Sequence, residues 1–334
     1  MKRRLLLMGL LIGVTLLCLL SLSVGRYPLP ISDILAFAFG QKVVDEHTAL
    51  LLAEVRLPRV AAALLVGGAL SVSGVAYQGM FKNPLISPDI LGVSSGAGFG
   101  ASLAILLSWG MLGVQLSAFG FGLGAVLIAL ALSKRISGMH SQALVLLLSG
   151  IITGSMFGAF ISLTKYIADA EYKLPDITFW LMGSLTNITT NQVLTIAPIV
   201  LLAVLPLYFS SWRLNVLSFG EDEAHTMGVQ VQRLRLVVVL SATLLTATVV
   251  SITGLIGWIG LVVPHIARFI IGSDNRYLLP AAFMLGSCFL IIIDLLSRTL
   301  SALEIPLGII ASIIGAPIFF FVLKSVKSKQ SVWE

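Results

Sequence analysis

Residues 58–80 read PRVAAALLVGGALSVSGVAYQGM, and after Arg59 no charged residue occurs until Lys82. At a rise of ~1.5 Å per residue, about 20 such residues carry a helix across ~30 Å of hydrocarbon. The run lacks the apolar–polar alternation of a barrel wall, so it predicts a spanning helix and not a strand. Comparable runs lie at 5–24, 90–108, 112–133, 142–166, 191–210, 232–254, 257–272, 278–298 and 306–325. With 58–80 they predict an all-α, polytopic membrane protein of about ten helices, organised as one domain over 1–334. Gly and Pro interrupt the pattern in 90–108 and 257–272.

Composition points the same way. Of 334 residues, 57% are hydrophobic and 11% charged, and mean hydropathy is +1.03. So few charges cannot cover a water-facing surface of this size. The formal charge of +6 forms no basic stripe that a phosphate backbone could follow, which excludes nucleic acid as a partner. Cys18 and Cys288 sit inside apolar runs without a CxxC spacing, and read as small core residues with no metal or cofactor role. Lys2, Arg3 and Arg4 precede the first run, as in a secretory signal. The run is longer than a signal core, and Ser21-Leu-Ser-Val-Gly25 is a poor cleavage site, so an uncleaved first helix is expected.

Lys and Arg set the expected orientation. With the N-terminus inside, fourteen of them fall on inner segments and seven on outer ones, so both termini are expected in the cytoplasm. Arg56, Arg59 and Arg298 are outer exceptions. An offset of 180 residues aligns Ser71-Val-Ser-Gly74 with Ser251-Ile-Thr-Gly254, Pro84 with Pro264, and Gly92 with Gly272. Five helices per half would make the halves an inverted repeat, a common transporter design, with the Gly/Pro-broken segments on the path.

Chemistry is sparse. No GxxxxGK[ST] phosphate cradle occurs. Asp294 is the clear acid inside a span, and Arg298 at i+4 is its expected structural partner. The segment from Leu214 to Val229 is more informative. Glu221, Asp222 and Glu223 follow Gly220 in what reads as a first helical turn, where the dipole favours acids, and Gly228 reads as the C′ residue that ends the helix. Ala224 and Met227 share a face at i,i+3, with Leu217 and Phe219 just before. Helices that lie on a bilayer favour Lys and Arg; an acidic one between spans suits a partner protein's groove.

The stretch Arg56-Leu-Pro-Arg59 through Gly68, Gly74, Gln78, Asn83-Pro-Leu85, Pro88 and Gly92 resembles the R-x-P-R … G … Q … N-P-L … P … L-G-V-S-x-G-A pattern of FecCD-type ABC permeases, importers of ferric siderophores, haem and cobalamin. Trp258-Ile-Gly-Leu-Val-Val-Pro-His-Ile-Ala-Arg268 is similar to that family's G-L-x-x-P-H-x-x-R segment. Glu304-Ile-Pro-Leu-Gly308 and Gly315-Ala-Pro-Ile-Phe319 match its C-terminal patterns. The resemblance runs in order from about Leu57 to Phe321. It implies that Arg56, Arg59 and Arg298 receive acidic residues of a substrate-binding protein. It also implies a cytoplasmic gate at Asn83, Leu85, Ser141 and Gln142. Leu217, Gly220, Glu221, Ala224, Met227 and Gly228 would form the segment that couples to separate ATP-binding subunits. A second permease copy or paralogue completes the expected assembly. His265 reads as a turn residue and not a ligand. A secondary transporter is the competing reading, which sparse intramembrane charge and the acidic loop disfavour; a structural anchor is another. Among substrates, an iron-siderophore leads on family frequency, with haem, cobalamin and molybdate as alternatives.

Overall fold

The computed structural model describes residues 2–25, 27–40, 45–136 and 142–328, and these are helical wherever they are regular. In chain order the helices are α1 (Lys2–Ser23), α2 (Ile31–Ala38), α3 (Glu46–Leu50), α4 (Leu57–Phe81), α5 (Val93–Leu106), α6 (Met111–Ile136), α7 (Gln142–Ile167), α8 (Lys173–Met182), α9 (Thr190–Phe209), α10 (Ser211–Leu217), α11 (Glu221–Thr226), α12 (Val231–Thr253), α13 (Ile259–Ile271), α14 (Asn275–Thr299) and α15 (Leu307–Ser328). A π-helical stretch, Leu51–Arg56, runs between α3 and α4 without a break. Among the described residues, seven helices are long and apolar enough to cross a membrane, and α5, α13 and α15 add shorter apolar ones. These ten carry the fold. The two runs interrupted by Gly and Pro are the two shortest of them, with 14 and 13 residues.

Small residues explain why α4 occupies the centre. Most of the span that contains it is buried in the bundle, against 17% for α1. Lipid tails are as apolar as Leu, so helices associate through close packing, which small residues permit. A Cβ on Gly67 would lie 2.2 Å from the carbonyl oxygen of Gly286, which brings α4 and α14 into backbone contact. Ser287 donates to the Leu64 carbonyl at 2.7 Å across the same seam. On another side, Ser73 donates to Ala242 O at 3.2 Å, and the Tyr77 hydroxyl sits 3.0 Å from Thr243 Oγ1. These contacts run antiparallel: α4 descends while α12 and α14 ascend.

The halves are inverted. The long α4 is followed by a chain break and the short α5; the long α12 is followed by a break and the short α13. The second set runs opposite to the first, because α12 is antiparallel to α4 and α13 parallel to it. The residue offset of 180 does not survive, however. Ser71–Gly74 lies within α4, whereas Ser251–Gly254 straddles the end of α12. Repeated small-residue patterns recur wherever helices pack closely, so they align by chance. The element order carries the repeat instead.

Four short helices, α2, α3, α8 and α10, lie where the sequence reading left loops. None is long enough to show as an apolar run. Helix α10 follows α9 after a single residue, Ser210, held at φ −88° and ψ 0°.

Candidate functional site

The two ends of the bundle carry different chemistry. At one end, Arg59 leaves the first turn of α4 and points into the protein. Its Nε donates to Asp294 Oδ1 at 2.8 Å, and its two terminal nitrogens grip Glu304 at 3.0 and 2.8 Å. Glu304 Oε2 also accepts from Thr186 Oγ1 at 2.8 Å. Arg298 pairs with the other Asp294 oxygen at 3.1 Å, one turn along α14. It also donates to the Ser21 hydroxyl at 2.8 Å and to the Ser21 and Val24 carbonyls. Arg56, the last π-helical residue, donates to the carbonyls of Leu22, Ser23 and Tyr27. Exposure of the three arginines is only 5, 6 and 9%. The expected Asp294–Arg298 pair is therefore one edge of a larger ionic knot joining α1, α4, α14 and the segment before α15. Buried charges persist only when paired and hydrogen-bonded: Arg59 meets both demands through Asp294 and Glu304, Arg298 is ion-paired to Asp294 and hydrogen-bonded to Ser21 and Val24, and Arg56 rests on carbonyls.

Beside the knot opens a cavity of about 750 Å³. Its walls mix polar Gln115, Asp176, Thr186 and Ser251 with the ring of Trp180, and Glu304 forms part of the rim. Glu304 thus touches both the arginine fork and the cavity.

Deeper in, the two chain breaks meet against α4. A Cβ on Gly74 would lie 1.9 Å from Gly260 O, and one on Gly260 would lie 2.5 Å from Pro88. His265 Nε2 donates to the Pro84 carbonyl at 2.9 Å. It stands within α13 and bolts that helix to the other break, so it is no turn residue. Arg268 donates to Gln78 Oε1, and Gln78 Nε2 reaches Leu261 O at 3.4 Å. Trp258, just before α13, holds φ +71°, a left-handed value costly for a non-glycine residue. Broken helices facing one another at depth are where transporters build their paths.

The opposite end gathers α10, α11, the start of α1 and the α13–α14 turn. Acidic Glu221, Asp222 and Glu223 occupy the first turn of α11, and Gly228 holds φ +80° just after it. Ala224 is fully buried, as is Leu217, while Met227 is 55% and Phe219 74% exposed. Ala224 and Met227 therefore do not share a face, contrary to the i,i+3 reading. Met227 is the C-cap, already out of the helical register at ψ 9°. Glu221 pairs with Arg235 of α12 at 2.8 Å. Asn215 of α10 donates to Asp274 Oδ1 at 2.8 Å. Asp274 also takes Arg276 at 2.9 Å and Arg3 at 3.4 Å. The Arg276 bond, followed by that of Asn215, holds the Asp274 carboxyl down from 3.8 to about 2. Its stabilising effect is present above the unfolded value and fades only as pH falls towards 2.

Residues 11–325 match the FecCD transport family. The chain belongs to that family. It is 38% identical over 330 residues to the molybdate import system permease MolB of Haemophilus influenzae, covering 95% of this chain and 96% of MolB. It is 37% identical over 282 residues to the hemin transport permease HmuU of Yersinia pestis, covering 83% and 84% of the two chains. A solved inward-facing conformation of a metal-chelate type ABC transporter superposes with a TM-score of 0.87 at 37% identity, covering 96% of this chain and 99% of that one. This FecCD chain is accordingly a permease subunit of an ABC importer, a membrane component that is not itself catalytic.

Of the gate set, Ser141 lies outside the described residues and Gln142 opens α7. Asn83 Oδ1 accepts from the Leu85 N–H at 2.9 Å, forming a turn after α4, and Leu85 is 55% exposed. The sequence reading missed Glu304 as the partner of Arg59, although its E-x-P-x-G motif was visible. It also missed Asn215 and Asp274, which no motif marks.

Proposed function

We propose that this FecCD permease receives a metal chelate from a binding protein at its Arg59 end and releases it at its Asp274 end. Two permease copies and separate ATPase subunits complete the machine, in a cytoplasmic membrane with both chain termini inside. The observation that carries this reading is the α10–α11 segment. Buried Leu217 and Ala224 anchor it, whereas Phe219, Met227 and three acids face outwards. An apolar pair ringed by acids, fixed to two transmembrane elements, suits a partner protein that moves. Gly220 and Gly228 supply the positive-φ turns that bound it.

At the other end, acidic groups of a binding protein would reach Arg56, Arg59 and Arg298 by competing with Asp294, Glu304 and the α1 carbonyls. Such exchange sets docking orientation and on-rate more than affinity. Asn83, Leu85, Ser141 and Gln142 would close the inner side as the cytoplasmic gate. A cavity of about 750 Å³ is the size of a site for a drug-sized molecule and far exceeds the needs of a bare oxyanion. It favours an iron-siderophore or related chelate. The second reading, molybdate, follows the import function named for MolB.

Uptake by proteoliposomes holding the permease, its ATPase and its binding protein discriminates these. ATP-dependent accumulation of a ferric hydroxamate, without accumulation of molybdate, is expected. The reverse pattern overturns the chelate assignment, and uptake without ATPase overturns the ABC reading. Phe219→Asp is expected to weaken ATPase association by about tenfold or more, since a central aromatic contact carries ~2 kcal/mol or more. Titration of labelled ATPase onto nanodisc-held permease measures it, and unchanged affinity would remove Phe219 from the interface.

A further inference from the structure

We propose that Asn215 and Asp274 form the joint that passes movement of the α10–α11 segment to α13 and α14. The inference rests on the permease reading, which makes α10–α11 the ATPase contact. Asn215 uses both ends of its amide. Nδ2 donates to Asp274 Oδ1, and Oδ1 accepts from both the backbone N–H and the Nδ2 of Asn275, each at 2.8 Å. Asp274 in turn caps α14 by accepting the Arg276 N–H at 3.1 Å. Short, mutually oriented bonds of this kind fix one element's position relative to another in a way a single surface ion pair does not.

The position of the joint gives it reach. Only Gly272, Ser273 and Asp274 separate α13 from α14. A displacement of α10 therefore acts on the end of α13 and the start of α14 together. Helix α13 leads back to the meeting of the two chain breaks, through Arg268 on Gln78 and His265 on Pro84. Helix α14 leads to Asp294 and Arg298 in the ionic knot. Glu221 also tethers the segment, to Arg235 of α12, but this acid is 45% exposed. Exposed pairs are weak and screened by salt, so it is the poorer transmitter. Small shifts at such a joint become large ones when packed elements have two arrangements.

An exchange of the two side chains tests this. Asn215→Asp sets two carboxylates against each other; adding Asp274→Asn restores one donor and one acceptor with the groups reversed. The readout is the distance between spin labels on Leu303→Cys in the two copies of the assembled permease–ATPase complex, with and without ATP, in a Cys18→Ser, Cys288→Ser background. Leu303 is 83% exposed at the far end. The ATP-driven shift in label distance is expected to be largely lost in the Asn215→Asp complex. The double variant is expected to recover it to within about twofold. A purely structural role would lower thermal stability in the single variant and leave the shift intact in the molecules that assemble. That result overturns the inference, as does a double variant no better than the single one. A wild-type complex whose labels ignore ATP removes the reading of α10–α11 as the ATPase contact, and the joint with it.

Discussion

Asp294→Ala is expected to abolish the folded permease or lower its stability by ~3–5 kcal/mol, the cost of leaving buried charge without its partner. Asp294 is 1% exposed and serves Arg59 on one oxygen and Arg298 on the other. Its loss takes one acidic partner from each of two guanidiniums. Glu304 can still hold Arg59 through two bonds, so Arg298 suffers more, keeping, among the described residues, its bonds to Ser21 and Val24. Asp294→Asn should be milder, because an amide keeps one acceptor and nearly the same shape. Thermal unfolding of purified protein in detergent, followed by size-exclusion profile, gives the order: wild type, then Asn, then Ala. Replacing Asp294 and Arg298 together with Leu should recover part of the Ala loss, since well-packed apolar residues can match a buried pair. An Ala variant as stable as wild type would show that the knot is dispensable.

The knot also marks the limit of what the sequence discloses. Each apolar run of ~20 residues announces its own helix, because crossing hydrocarbon imposes a length that any reader can measure. Asp294 and Arg298 were legible as a pair because a helix repeats every 3.6 residues, making i,i+4 neighbours. Glu304 and Arg59 are 245 positions apart, and no local period connects them. Asn215 and Asp274 likewise meet only because α10 and the α13–α14 turn share one end of the bundle. The acidic α11 was legible from its glycines and first-turn acids. The outward turn of Met227 was not, since a cap residue leaves the helical register that the i,i+3 reading assumes. Short helices such as α8 escaped because ten residues carry too little periodicity to stand out in a chain where most residues are apolar.

Glycine is where this chain resists substitution most sharply, and Gly74→Ala is expected to cost more than its single methyl suggests. The added Cβ would lie 1.9 Å from Gly260 O, a backbone atom that cannot rotate aside. Helix α13 would have to retreat from α4. Gly260 is packed as tightly from its own side, where a Cβ would lie 2.5 Å from Pro88 and 3.0 Å from Leu70 O of α4. Retreat also stretches the bonds from Gln78 to Leu261, from Arg268 to Gln78 and from His265 to Pro84. Overpacking of this kind costs ~1–3 kcal/mol, and Gly74→Leu, which cannot be relieved by a small shift, should yield no folded protein. The comparison that isolates packing is Gly124→Ala on α6, where nothing lies within 4 Å of the new Cβ. There, helix propensity alone predicts a gain of ~0.5–1 kcal/mol. The two variants have the same chemistry, nearly the same hydropathy and both sit inside spanning helices. Opposite signs in thermal stability and in yield of monodisperse protein would therefore come from the α4–α13 crossing alone. If Gly74→Ala proved as benign as Gly124→Ala, the chain breaks would not be held by contact with α4.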